Sequence, residues 1–263
     1  MNYTIIGIDF GTSTTVVKVK HYCEGMNPKD CQPLTFYKGN SCLPTLVFED
    51  TGGQLYFGYD AEAQASAGTE GTLYKNFKMD LIGNNEQQTT KGKKLIKEFF
   101  KYIYSEFNQS RHRLNVYPTI KTYVSYPAKW TPETRSLMKQ CAIDAGFGTE
   151  SNVSGESEPT AAIYASIAIH LEELQKEHIV IKNQPINVMM IDMGAGTSDI
   201  AIFKFRMDNN NKPVIDDLIT YPTVDNVYLC GGREIDRLLG DHLSDYVKRM
   251  SKNDQVPLAV PSC

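Results

Sequence analysis

Two stretches of this chain follow one plan, GIDFGTSTTVVKV at residues 7 to 19 and IDMGAGTSDIAIF at 191 to 203. Each reads as an apolar strand ending in an aspartate, a turn of small and hydroxyl residues, and a second β-branched strand. Asp9 and Asp192 occupy the same place in the two copies. Gly11 and Gly196 remove side chains where a ligand would approach the backbone, while Thr12, Ser13, Thr14, Thr197 and Ser198 supply hydroxyls and amides suited to phosphate oxygens. A single copy is an ordinary hairpin with a glycine turn. Two copies facing each other would make a nucleotide clamp, and the rest of the chain has to be arranged around that pairing.

The 263 residues suffice for a large core or for two domains, and 41% hydrophobic with 22% charged is ordinary globular composition. Twenty-seven basic against 31 acidic residues give a net charge of -4, with no Lys/Arg block forming a footprint for nucleic acid. The KGKK run at 91 to 94 reads as the solvated start of a helix. No stretch approaches the ~18 apolar residues that span a bilayer, and the opening MNYTIIGIDF has no signal-peptide pattern. A cytoplasmic protein without membrane partners is expected. Six cysteines without paired two-residue spacing argue for reduced thiols, and His21, Cys23, Cys31 and Cys42 fit no usual zinc spacing.

Past the first hairpin, residues 21 to 42 read as loop, LPTLVFED and QLYFG as strands about the turn DTGG, and 61 to 68 as a small-residue helix. The polar segment 83 to 90 reads as a loop. From Lys91 to Phe107 apolar residues recur at steps of three and four, predicting an amphipathic helix whose aromatic stripe is core. TIKTYVSYP predicts a strand, then Thr131, Pro132 and Glu133 open a helix that Gly146 stops. ESEPTAAIYASIAIHLEELQKE predicts an alanine-rich helix, with His170 and His178 as packing and surface residues on it. The second hairpin, a turn at 208 to 213, a strand VIDDLITY and a helix after LCGG follow, giving an α/β plan with an internal repeat.

GIDFGTSTT, VSYPAKW, ESEPTAA, IDMGAGTSD and CGGREID, in this order, resemble the nucleotide-binding domain of the seventy-kilodalton heat-shock (DnaK-like) chaperones, within the actin, hexokinase and chaperone ATPase superfamily. The resemblance runs from Ile5 to about Tyr246. It implies an actin-like, ribonuclease H-like α/β ATPase fold, ATP/ADP and Mg²⁺ as ligands, and, through a longer parent chain, co-chaperone or client proteins as partners. The residues support an ATP site in their own right: phosphoryl transfer needs positioning and charge neutralisation, and Mg²⁺ takes only one or two carboxylates, here Asp9 and Asp192. A strand-end aspartate commonly caps its own turn, but two in matched hairpins converge as an active site does.

By the same resemblance an acid beside the attacking water falls on Glu158 and another on Asp199, either of which would orient or deprotonate that water. Glu158 also suits a helix N-terminus electrostatically. A lysine reaching the transferred phosphate falls on Lys78 in NFKMDLIG, with one extra residue in the interval and Lys75 as the alternative. Thr12, Ser13 and Thr14 resemble the first phosphate loop, and Gly194, Ala195, Gly196 and Thr197 the second. Gly231 and Gly232 resemble a turn that approaches the phosphates. Pro127 sits where the family has a proline implicated in coupling nucleotide state to the rest of the molecule, and reads plainly as a strand terminator. Ala195 stands where the family has glycine, which matters only if the position needs positive φ, and Ser198 replaces an aromatic residue.

In the family the chain continues into a subdomain that covers adenosine. The expected organisation here is one complete lobe, residues 1 to 185, plus part of a second, 186 to 263, in a truncated product or a natural partial domain. Weak nucleotide binding and slow or undetectable hydrolysis are therefore expected. Two other readings compete: a non-catalytic interaction module that retains the fold, and a small-molecule kinase of the same superfamily. The retained acids argue against the first, and ESEPTAA with CGGREID against the second.

Overall fold

The computed structural model describes residues 2–24, 31–82, 85–128, 130–196, 198–210, 212–221 and 231–254. The first hairpin is β1 (Tyr3–Phe10) and β2 (Thr14–Tyr22), antiparallel with Asp9 opposite Val16. β3 (Gln32–Pro33) and β4 (Cys42–Pro44) both pair with β2, so part of the segment read as loop joins the sheet. A separate antiparallel sheet has β5 (Leu46–Asp50) between β6 (Leu55–Phe57) and β7 (Gly71–Lys75), with α1 (Tyr59–Ser66) connecting the last two. LPTLVFED is thus broken at Thr45, which leaves the strand direction to bond the first turn.

β8 (Ile120–Tyr126) and β9 (Val153–Ser157) extend the first sheet on the other side of β1, both in parallel, giving the order β3-β2-β1-β8-β9. Parallel strands bring their C-terminal ends to one edge, the usual place for ligands in such sheets. That edge carries Asp9, Ser125 and Glu156. α2 (Glu86–Ser110) leads into β8, and α3 (Pro132–Ala145) joins β8 to β9. Thr131 caps α3 by accepting from the Thr134 amide, Pro132 occupies its first turn, and Gly146 ends it in the left-handed conformation, as the sequence predicts. α4 (Glu158–Lys176) follows β9 directly, capped by Ser157. The second hairpin, β10 (Ile186–Met193) with β11 (Ser198–Met207), sets Asp192 opposite Asp199, and β12 (Pro213–Tyr221) completes a three-stranded antiparallel sheet before α5 (Gly232–Asp254).

Other sequence readings are corrected or completed. Residues 86 to 90 belong to α2, because the Asn85 side chain accepts from the Gln87 and Gln88 amides and starts the helix before its apolar period begins; KGKK therefore lies inside the helix. β9 is a strand through its ladder with β8, although VSGES carries no strand pattern of its own. His178 lies beyond the end of α4, at φ 57°. Cys23, Cys31, Cys42 and Cys141 are free thiols; Cys230 and Cys263 lie outside the described residues. Both His21 ring nitrogens are hydrogen-bonded, to Thr4 Oγ1 at 3.1 Å and the Leu114 carbonyl at 2.8 Å. No helix of the described residues is long and apolar enough to cross a membrane.

The buried face of β1, Ile6, Ile8 and Phe10, packs in one core with Ile96, Phe99, Phe100, Ile103 and Phe107 of α2, all five fully buried. Phe10 meets Phe77, Phe99 and Phe100 at ring centroid distances of 6.1, 5.9 and 5.3 Å. A second core combines Ile163 and Ile167 of α4 with Ala201, Phe203, Phe205 and Met207 of β11. Val153 of β9 is the last buried residue of the first core and Ile163 of α4 the first of the second, so α4 packs with the second core.

Candidate functional site

The two hairpin turns meet. Gly11 sits where an added Cβ would collide with the Thr14 carbonyl, and its amide donates to that oxygen at 3.0 Å. Thr45, fully buried, fastens the turn from behind: its amide donates to Ser13 O at 2.8 Å and its hydroxyl to Gly11 O at 3.0 Å. Opposite, a Cβ on buried Gly196 would come within 2.7 Å of Thr12 Oγ1 and 3.2 Å of Met79 Sδ. Gly231 approaches the same turn from a third side, where a Cβ would lie 2.7 to 2.8 Å from backbone atoms of Gly194, Ala195 and Gly196. The Gly232 amide donates to Gly194 O at 3.1 Å. At Gly11, Gly196 and Gly231 a side chain would force these contacts to shift. Ala195 is absent from the described positive-φ residues, so replacing glycine there introduces no backbone strain.

Between the turns lies a cleft of ≈ 770 Å³. Of the residues singled out from the sequence, Asp9, Lys78, Glu158 and Asp192 line it, with Gly11, Thr12, Ser13, Thr14, Gly194, Ala195 and Gly196 around them. Gly231 and Gly232 support the second turn without lining the cleft, and Thr197 lies outside the described residues. Asp199 is buried, directly across the ladder from Asp192. Lys75 is exposed at the end of β7, whereas Lys78 is 2% exposed. Lys78 Nζ donates to Glu158 Oε1 at 2.7 Å and lies 5.8 Å and 5.5 Å from the Phe10 and Trp130 ring centroids.

The site gathers carboxylates around the Lys78 ammonium. Burial pushes the Glu158 carboxyl above the ordinary glutamate range; Lys78 opposes this, and Asp9 and Asp192 add to it. Burial likewise raises Asp192, reinforced by Asp199 and Asp9 and opposed by Lys78. A bound cation would relieve this repulsion.

Sequence reasoning missed several contributors. Ser125 Oγ donates to Asp9 Oδ1 at 2.9 Å, a contact set by the β1/β8 ladder, which places Ile8 beside Val124. Ser125 stands within VSYPAKW, so the motif held the signal. Glu156, Lys18 and Tyr123 also line the cleft. Trp130 closes the same motif, whereas Thr45 carried no recognisable pattern, since its contacts reach residues distant in sequence.

A polyphosphate with Mg²⁺ fits these residues. The glycines let the two turns come into contact, hydroxyl residues line the cleft beside them, and Asp9 and Asp192 line it from opposite hairpins. Among the described residues no three His, Cys, Asp or Glu side chains form a cage for a metal ion. Mg²⁺ does not require one, since it takes one or two carboxylates and completes its shell with waters and substrate phosphates.

No family model matches the chain. Over most of its length it is distantly similar to chaperones. It is 25% identical over 251 residues to Chaperone protein DnaK of Endomicrobium trichonymphae, covering 95% of this chain and 36% of that protein. To Chaperone protein DnaK of Picrophilus torridus it is 25% identical over 202 residues, covering 76% and 30%. To Chaperone protein DnaK of Thermoplasma volcanium it is 22% identical over 242 residues, covering 92% and 35%. The chain spans about a third of the length of these curated relatives.

Proposed function

We propose that the cleft binds ATP or ADP with Mg²⁺, and that the chain is the nucleotide-binding part, of actin-like ATPase fold, of a DnaK-like chaperone. The observation that carries this reading is the meeting of the two glycine turns, Thr12 against Gly196, beside a cleft lined by Asp9, Asp192, Glu158 and Lys78. Thr12, Ser13 and Thr14 cradle phosphate oxygens from one jaw, and Gly194, Ala195, Gly196 and Thr197 from the other. Gly231 and Gly232 hold the second jaw at its distance. The jaws belong to a lobe at 1 to 185 and part of another at 186 to 263.

Asp9 and Asp192 hold the cation. When bound, Mg²⁺ neutralises phosphate charge and orients the terminal phosphoryl group. Lys78 adds positive charge at that phosphate. Glu158 orients the attacking water and, with its raised pKa, is suited to accept its proton; Asp199, across the ladder from Asp192, is the alternative acid for that role. The similarity to DnaK chaperones favours water over a sugar hydroxyl as acceptor, and co-chaperones or clients as partners of the longer protein.

Calorimetry of MgATP with the wild type and with Asp9→Asn/Asp192→Asn tests the assignment. Loss of charge-assisted contacts lowers affinity by roughly 10-fold or more. Identical weak heats in both proteins would remove the phosphate clamp from consideration.

A further inference from the structure

Gly7 is a glycine that the described fold does not require. It sits in the middle of β1, away from any turn, with a φ outside the left-handed region. Among the described residues no atom lies within 4 Å of a Cβ built on it, in contrast to Gly11, Gly196 and Gly231. Glycine costs a strand interior stability, so a strand position with room for a side chain and none present marks a surface that something else approaches. Gly7 also lines the cleft.

The sheet sets what flanks it. Lys18 of β2 and Tyr123 of β8 are the ladder partners of Gly7, so the three form one row across the face that carries Asp9 two residues further on. Three strands leave the outer two Cα positions of the row about 10 Å apart, with no side chain between them. Lys18 and Tyr123 both line the cleft, and Tyr123 is 42% exposed. Ala161, Ala162 and Ala165 of α4 line it as well, and offer only methyl groups. The row lies about 7 Å along β1 from Asp9, within reach of a ligand whose phosphates occupy the turns.

We infer that this row is a nucleobase subsite: a purine lies over Gly7 and stacks on Tyr123 while its phosphates reach the two turns. The inference rests on the nucleotide reading and deepens it. It draws the grip on the base from this chain's own residues, and none of it from the subdomain to which the resemblance assigns adenosine. Every nucleobase has a π-face, so stacking on Tyr123 holds the base without reading its edge. Lys18 borders the other flank with an ammonium, complementary to the negative charge of a nucleotide.

Inorganic tripolyphosphate separates the two parts of the ligand, because it carries the phosphates and lacks the base. Calorimetry of the full chain is expected to give MgATP an affinity roughly 5- to 150-fold above that of magnesium tripolyphosphate, the effect of one base stacked on an aromatic side chain. Tyr123→Ala removes the platform and Gly7→Val fills the floor. Each is expected to bring MgATP down to the tripolyphosphate level and to leave tripolyphosphate binding unchanged. Gly7→Val should unfold at a Tm no lower than the wild type, since the strand has room for the side chain, so its loss of ATP binding is not a loss of fold. Equal affinities for the two ligands on the wild type overturn the inference. So do variants that bind MgATP as the wild type does, or that lose both ligands alike. Tripolyphosphate binding with no gain from the base leaves the phosphate clamp standing and removes the subsite alone, whereas a wild type that binds neither ligand removes the clamp and the inference with it.

Discussion

Replacing Glu158 by leucine is expected to destabilise the folded chain by about 3 to 5 kcal/mol, the cost of leaving one member of a buried ion pair behind. Lys78 is the member left behind, at 3% side-chain exposure against 16% for Glu158. Loss of a favourable charge at the first turn of α4 adds only about 0.3 to 1 kcal/mol, so helix-terminus electrostatics cannot account for an effect of this size. Asp192 also feels the Lys78 charge and takes up part of the role, which favours the lower end of the range. Lys78→Met should cost less, because burial already raises the Glu158 pKa and the carboxyl can take up a proton in place. The double variant should then be more stable than Glu158→Leu alone. Urea unfolding of all four proteins measures the coupling; strictly additive losses would show that the pair does not act as a unit.

Phe99→Ala is expected to cost about 3 to 5 kcal/mol, through lost transfer energy and the cavity left behind. Phe99 is fully buried, with ring centroids 5.9 Å from Phe10, 6.3 Å from Phe57 and 5.7 Å from Phe77. Phe10 adjoins Asp9 and Phe77 adjoins Lys78, so this aromatic cluster holds both sides of the first jaw. Thermal unfolding is the readout, with Tm falling by about 10 °C for a chain of this size. A shift under a few degrees would mean that the neighbouring rings close the gap, and that the cluster is not what fixes Asp9.

What the residues disclosed in advance was whatever local chemistry determines. Thr131, Pro132 and Gly146 bound α3 because a cap, a fixed φ and a left-handed stop each act within one turn. The paired aspartates and glycines were legible because the chain repeats them. α2 started earlier than its apolar period suggests, since a solvated first turn held by Asn85 looks like a loop by composition. β9 was illegible for the opposite reason: VSGES is extended because β8 offers it a ladder, which no local pattern records. In the site, Lys78 and Glu158 were each identified but not their mutual bond. Thr45, Ser125 and Trp130 escaped notice because their roles exist only once distant strands are side by side.

The two aspartates are mounted differently. β1 is hydrogen-bonded on both sides, by β2 and β8, while β10 sits at the margin of its sheet with β11 as its neighbour among the described residues. Asp9 therefore stands on an anvil and Asp192 on a cantilever. Shifting β1 would break two ladders; bending β10 strains one, and the free energy of such local opening is correspondingly smaller. A ligand bridging the aspartates would draw the compliant arm toward the rigid one. Part of its affinity would then be spent on arresting that arm, making the distance between the carboxylates a quantity set by occupancy.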